Sequence, residues 1–275
     1  MDDYLKSAQL ASKVVTQTFS TSFSSAITLF SESIRQDIYN IYGLVRVADE
    51  IVDSYQGDEA EDILNQLEQE VYQSIKRGFS ANVIVQSFCI TANRYSIDKS
   101  LIEPFFSSMR MDLTIKTFSK EEYKNYIYGS AEVVGLMCLK VFVDGEDKEF
   151  NNLKEGACAL GSAFQKVNFL RDIKDDYNTR GRYYFPVGSF ENFSEQIKSS
   201  IIDDIEKDFK VAQEAIEKLP KNARFATRLA FDYYNQLLSK LKITPADEIK
   251  NTRISVSKTT KLKILMRVKL AKHVQ

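Results

Sequence analysis

Residues that stop helices are scarce in this chain: 10 Gly and 4 Pro are spread over 275 positions, where average usage is roughly 7% and 5%. Sheet-built domains reverse direction at short intervals and draw on Gly and Pro at many of those reversals. So few breakers over this length leave long helices as the fold's material. Apolar positions recur at three- and four-residue steps and predict helices over 3–18, 32–54, 59–77, 81–95, 99–112, 120–142, 147–177, 193–218, 223–241 and 256–272. The gaps coincide with the breakers that do occur, at Gly57, Gly78, Asp144-Gly145, Gly181 to Gly188, Pro220 and Pro245. No internal repeat, low-complexity tract or linker divides the chain. The expectation is one all-α domain over residues 1–275, a single bundle of long helices.

With 37 basic and 38 acidic side chains the formal net charge is −1, so no global field draws nucleic acid or another polyanion to the surface. A polyanionic substrate then needs local clusters of Arg and Lys, or bound metal. Cys89, Cys138 and Cys158 stand singly in apolar helical contexts and read as small core residues in a reducing compartment. The opening Met-Asp-Asp-Tyr lacks the basic-then-apolar order of a signal peptide, and no run of 18 apolar residues occurs. A cytoplasmic protein is expected. His273 is the sole histidine, which excludes a Ser-His-Asp triad and a His-ligated zinc site.

Two predicted helices carry a polar stripe among apolar neighbours. In the first, Tyr39, Tyr42, Arg46, Asp49 and Asp53 follow three- and four-residue steps inside Ile38, Ile41, Leu44, Val45, Ile51 and Val52. In the second, Gln165, Asn168, Asp172 and Asp176 repeat the pattern inside Leu160, Phe164, Val167, Phe169, Leu170 and Ile173, flanked by Arg171 and Asp175. A basic and aromatic turn, Arg180-Gly181-Arg182-Tyr183-Tyr184-Phe185-Pro186, follows. Each Asp pair at i,i+4 puts two carboxylates about 6 Å apart on one face, a mild repulsion that a cation between them reverses. One such spacing is uninformative, since roughly one arises by chance in a chain of this size. Two of them, each with arginine nearby and each in an apolar helix, differ from a solvated face, which intersperses Lys and Glu. Gly43, Gly135 and Gly161 read as room left beside the backbone for a ligand. Paired carboxylates suit Mg²⁺, with Mn²⁺ as a substitute, because a hard ion takes one or two carboxylates and fills its shell with water and phosphate oxygens. The chemistry this supports is departure of a diphosphate, with metal and arginine neutralising the leaving charge and aromatic walls sheltering the carbocation.

The residues of both stripes resemble the squalene/phytoene synthase family, and within it the bacterial phytoene synthases. Ile38-Tyr39-x-Ile41-Tyr42-Gly43-x-Val45-Arg46-x-Ala48-Asp49-Glu50-Ile51-Val52-Asp53 is similar to the first aspartate-rich signature. Ala159-Leu160-Gly161-x-Ala163-Phe164-Gln165-x-x-Asn168-x-Leu170-Arg171-Asp172-x-x-x-Asp176 is similar to the second, continued by Gly181-Arg182-x-Tyr184-x-Pro186. Ser20-Thr21-Ser22-Phe23, with Thr21 where many members have Lys, and Arg253-Ile254-Ser255-Val256 resemble the family's opening and closing segments. The stretch Gly129 to Gly135 departs from the common wording at Glu132. Resemblance covers roughly residues 15 to 265.

The resemblance implies an isoprenoid (terpenoid) synthase fold with a central cavity, and head-to-head condensation of two prenyl diphosphates through a cyclopropylcarbinyl diphosphate. Two geranylgeranyl diphosphates would give phytoene for carotenoid biosynthesis, by final proton loss and without NADPH; the alternative is a squalene or dehydrosqualene synthase using farnesyl diphosphate. Carried over, Asp49, Asp53, Asn168, Asp172 and Asp176 would hold Mg²⁺, with Tyr42 and Tyr183 beside the reacting centre. Phe23, Tyr39, Arg46, Tyr128, Gln165, Asn168, Arg171, Arg182, Tyr234 and Arg253 would contact substrate. Helical phase assigns the prenyl tunnel to Phe19, Val134, Leu136, Leu139, Ala157, Leu160 and Phe164.

A head-to-tail elongator or terpene cyclase shares the metal chemistry, but the long second signature with Gly-Arg-x-Tyr-x-Pro argues against both. A non-catalytic helical scaffold predicts damaged acidic pairs, and all four aspartates are intact. A carotenoid desaturase that takes the product is the partner implied. Residues 258–275 carry basic but no acidic side chains, so the last helix either packs on the bundle with a solvated basic side or makes peripheral contact with the inner face of a membrane.

Overall fold

The structure is a computed structural model and describes residues 2–19, 21–55 and 57–274, with side chains for all of these but 21–23 and 272–274. Ser20 and the side chains of Thr21, Ser22, Phe23 and His273 therefore lie outside the described residues. Thirteen α-helices follow along the described chain: α1 (Asp2–Phe19), α2 (Thr21–Ile27), α3 (Glu32–Asp53), α4 (Ala60–Arg77), α5 (Val83–Tyr95), α6 (Lys99–Thr114), α7 (Lys120–Ile127), α8 (Val133–Phe142), α9 (Asp147–Arg180), α10 (Glu195–Ile216), α11 (Lys221–Ile243), α12 (Ala246–Asn251) and α13 (Lys258–Val274). The described residues contain no strand; Thr117 and Tyr183 form an isolated parallel bridge. No helix among them is long and apolar enough to cross a membrane.

Helix limits follow local chemistry. The Asn82 side chain accepts from the Ile84 and Val85 amides and starts α5, and Ser119 with Glu122 forms a reciprocal capping box at α7. Helix α9 ends where Gly181 turns left-handed at φ +65°. It runs three residues past the expected stop, which puts Arg180 on the helix, one turn beyond Asp176.

The segment expected as one helix over 120–142 is broken by a π-turn at Tyr128–Glu132. The Ser108 hydroxyl on α6 lies 3.3 and 3.2 Å from the carbonyls of Asn125 and Tyr126, drawing on acceptors at the start of the break. The extra residue of the π-turn swings Tyr128 outwards and carries Ser130 and Ala131 to the interior.

Helices α3 and α9 are the inner pair. Helix α3 packs against α1, α4, α5, α6 and α8; α9 packs against α8, α10, α11 and the π-turn. Buried apolar side chains form one continuous core through these layers. Glycine sets how close the helices come. A Cβ at Gly161 would stand 2.7 Å from the Ala131 carbonyl oxygen, so α9 touches the π-turn backbone there. Gly43 faces Ser12 of α1 at a similar separation, so it serves helix packing and leaves no room for a ligand, contrary to the sequence expectation. Gly135 and Gly161 do border a cavity.

Candidate active site

Between α3, α8, α9 and α11 lies a cavity of about 320 Å³. Its lining changes character along the two inner helices. On α3 it runs through Ile38, Tyr42, Val45 and Asp49; on α9 it runs through Leu153, Ala157, Phe164, Gln165 and Asn168. On both helices the lining is apolar first and polar toward the C-terminal end. The two polar ends meet, because Arg180 reaches Asp176 at 2.9 Å and Asp53 at 3.3 Å.

Around that junction the structure gathers most of the residues expected from sequence. Tyr42, Asp49, Gln165, Asn168 and Tyr234 line the cavity itself. The Tyr234 hydroxyl donates to Asn168 Oδ1 at 3.2 Å, and its ring stacks on Phe164 at 4.0 Å. Gln165 Nε2 donates to the Ser130 hydroxyl at 3.3 Å. Asp172 accepts from Arg171 through two nitrogens and from Arg253 Nε at 2.6 Å. Arg46 pairs with Glu50, reaches Asp49 at 3.7 Å and covers the half-exposed Phe19 ring at 4.4 Å.

The carboxylates are not equivalent. Burial pushes Asp49 up to about 7, with Arg46 opposing and Asp53 adding to the rise. Burial also raises Asp176 to about 7, helped by the charge of Asp172 and opposed by Arg180. For Asp172 burial acts upward too, but hydrogen bonds from Arg171 and Arg253 outweigh it and hold the group below the ordinary aspartate range. Burial keeps the Tyr42 phenol protonated far above its usual range.

Three expected positions fall elsewhere. Tyr39 is buried in the core; a three-residue step is 60° short of a turn, which turns it out of the line of Tyr42 and Asp49. Tyr128 stands 38% exposed outside the cavity, rotated out by the π-turn. Tyr183 donates to the Val187 carbonyl at 2.9 Å and lines a separate hollow with Tyr177, Phe185 and Phe190. Past Gly181 the chain is no longer helical, and alternate residues face opposite sides: Arg182 and Tyr184 point to Asp112, Tyr183 away. Of the expected tunnel, Val134, Leu139, Ala157, Leu160 and Phe164 line the cavity, while Leu136 and Phe19 do not.

Arg182, expected at substrate, is 5% exposed and occupied within the protein. It pairs with Asp53 and Asp112, each at 3.2 Å, and donates to the Asp112 carbonyl at 2.7 Å. Asp112 also accepts from Tyr126 at 2.7 Å and Tyr184 at 3.0 Å. Burial raises Asp112 to about 6 against the pull of Arg182. This network, together with Arg180, was missed in sequence. Two signals existed: Arg180 lies four residues beyond Asp176, and Asp112 falls in Met109–Leu113, a further stretch that resembles the family; neither says that the segments meet.

The donor set suits a hard divalent cation: four aspartates on two meeting helices, two of them raised by burial and by like charge, the state that a cation relieves. Among the described residues no three His, Cys, Asp or Glu side chains form a ready cage. An ion held here would need to draw part of its shell from ligand oxygens and water, as Mg²⁺ does at phosphate sites.

Known proteins resemble this chain in sequence and in fold. A 4,4'-diapophytoene synthase from Staphylococcus haemolyticus is 26% identical over 82% of this chain and 75% of its own length. A phytoene synthase from Arthrospira platensis is 27% identical over 83% of this chain and 82% of its own. The solved structure of a dehydrosqualene synthase in complex with ligand matches at a TM-score of 0.82 and 19% identity, covering 100% of this chain and 99% of that one. A squalene synthase from Alicyclobacillus acidocaldarius matches at 0.76 and 18%, covering 86% and 94%; the shared architecture is the all-α isoprenoid synthase fold. The sequence model of the squalene/phytoene synthase family spans residues 16–260. That span takes in both aspartate helices and the cavity between them, and the chain belongs to this family of enzymes that condense two prenyl diphosphates head to head.

Proposed function

We propose that the protein joins two geranylgeranyl diphosphates at their first carbons to form phytoene. One observation carries the reading: a cavity whose lining on α3 and α9 is mostly apolar reaches Asp49, Gln165 and Asn168, on the two helices whose ends Arg180 joins through Asp53 and Asp176. An amphiphile with a long hydrocarbon tail and a diphosphate head matches that gradient. Phytoene synthases among the relatives, from Arthrospira platensis and Synechococcus elongatus, support the longer substrate. The diapophytoene synthase relative favours farnesyl diphosphate as the second reading.

In this reading Arg171 and Arg253 meet the diphosphate, and the amides of Gln165 and Asn168 orient it. The C1–O bond of the first substrate breaks, and its C1 adds across the C2–C3 double bond of the second with loss of a proton. The second diphosphate then leaves, the cyclopropyl ring opens to the 1–1′ link, and a second proton departs. Tyr42, Phe164 and Tyr234 present ring faces to the cations and keep water out. Tyr42, held protonated, is not the base; the departing diphosphate takes the protons. Asp49, Asp53, Asn168, Asp172 and Asp176 would hold Mg²⁺, or Mn²⁺ in its place, which neutralises leaving-group charge when bound.

Purified protein with Mg²⁺ is to be given geranylgeranyl or farnesyl diphosphate, without NADPH, and the hydrocarbon identified by mass. Phytoene from the first substrate is expected. Dehydrosqualene from the second alone would transfer the assignment to farnesyl diphosphate. Products that form only when isopentenyl diphosphate is added would refute head-to-head coupling.

A further inference from the structure

Helix α13 carries two apolar stripes on opposite sides. Ile264 and Val268 are 8% and 4% exposed on the side that packs against α11. Arg267 fixes that orientation by pairing with Asp232 at 2.8 Å. Leu262, Met266 and Leu270 follow one another at four-residue steps, about half a turn round from the packed side, and are 58%, 52% and 64% exposed. Two opposed stripes explain why the sequence pattern shows no single apolar face.

The outer stripe has a charged border. At 100° per residue Lys258 and Lys269 fall along one edge and Lys263 along the other. All three are exposed, and no acidic partner is found for them among the described residues. The sequence from 258 to 275 has no Asp or Glu. A second copy docked stripe to stripe would set lysine against lysine, with no acid on the helix to answer. An anionic bilayer complements both features, since its phosphates match the lysines and its acyl boundary takes the leucines and methionine.

We propose that α13 lies flat on an anionic membrane surface, with Leu262, Met266 and Leu270 entering the boundary between headgroups and acyl chains. The inference is independent of which prenyl diphosphate is consumed. It places the bundle where amphiphilic substrates reside and an insoluble hydrocarbon can be released.

Co-sedimentation of the full chain with vesicles tests this. Phosphatidylcholine alone is compared with the same lipid containing about one-third phosphatidylglycerol, at low and high salt. Binding is expected only to the anionic vesicles, falling as salt rises. Two variants attack different chemistries: Leu262→Ser with Met266→Ser and Leu270→Ser, and Lys258→Glu with Lys263→Glu and Lys269→Glu. Each should lower the bound fraction roughly tenfold, with the circular-dichroism spectrum and turnover of detergent-dispersed substrate unchanged. Should one variant fail to fold, the other decides. Equal binding to neutral vesicles, binding to neither, or a dimer that the triple serine variant dissolves would overturn the proposal.

Discussion

The aspartate pairs of α3 and α9 share a four-residue spacing and differ in which member two arginines meet. On α3 the first member, Asp49, is raised to about 7 by burial, and Arg46 is its chief counterweight. The second, Asp53, meets Arg180 at 3.3 Å and Arg182 at 3.2 Å. On α9 the first member, Asp172, is matched by Arg171 and Arg253 and lowered, while the second, Asp176, is raised to about 7. Asp53 and Asp172 are thus each met by two arginines, whereas Asp49 has Arg46 at 3.7 Å and Asp176 has Arg180 at 2.9 Å. Spacing along a helix sets where carboxylates stand; the arginines that meet them come partly from other segments, Arg182 from the turn after α9 and Arg253 from the stretch before α13.

The largest test of this contrast removes Arg182. Its guanidinium is 5% exposed and serves both Asp53 and Asp112, so Arg182→Ala should leave buried carboxylates unmatched and destabilise the fold by about 3–5 kcal/mol. Arg253 meets Asp172 from a position 59% exposed, and Arg253→Ala should change stability by under about 1 kcal/mol. Chemical denaturation measures both. Equal losses would mean that the arginines do not differ as their burial says.

Turnover and stability should separate at the aspartates. Asp49→Asn and Asp172→Asn are each expected to lower the rate at least about 10²-fold, since each removes a charge that would hold metal against diphosphate. Their melting temperatures at pH 8 should move in opposite directions. Asp49→Asn deletes an under-matched charge and raises the melting point of metal-free protein; Asp172→Asn strands Arg171 and Arg253 and lowers it. Near-normal turnover in either variant breaks the assignment.

The smallest effect is the pH dependence of that difference. Asp49 has a folded pKa of about 7 against 3.8 unfolded, so the folded state holds its proton more tightly. Its contribution therefore becomes less favourable as pH rises from about 4 to about 7 and is constant above. The gain from Asp49→Asn should be full at pH 8, shrink below pH 7 and vanish near pH 4. Asp172, lowered in the fold, contributes above its unfolded pKa and loses that contribution in acid, so the loss from Asp172→Asn should also fade as pH falls. Melting curves in chelator from pH 4 to 8 check both, and a gain from Asp49→Asn that persists at pH 4 contradicts the burial of an unmatched charge.

All ten helices expected from apolar periodicity have counterparts in the structure. What escaped was short or imposed from outside. Helices α2 and α12, of 7 and 6 residues, have too few turns to show a period. The π-turn within 120–142 adjoins carbonyls that Ser108 approaches from another helix. At the site, both stripes were legible because each lies on one helix; Tyr128 and Tyr183 were misplaced because each sits where helical phase is interrupted.

By itself, then, the sequence determined the helical architecture, the two aspartate stripes and the family. The first two rest on the step of 100° per residue and the cost of interrupting a helix, both local properties; the family rests on the likeness of the signature residues along those stripes. Tertiary structure alone decided which carboxylates are matched by arginine, that Arg182 backs Asp53 and Asp112 instead of facing the cavity, and that α13 turns Leu262, Met266 and Leu270 to solvent. Charge balance and exposure depend on segments far apart in the chain: Asp112 and Arg182 are 70 residues apart and meet at 2.7 Å. No periodicity within one helix encodes such a pairing, because it forms only when α6 and the turn after α9 close on each other.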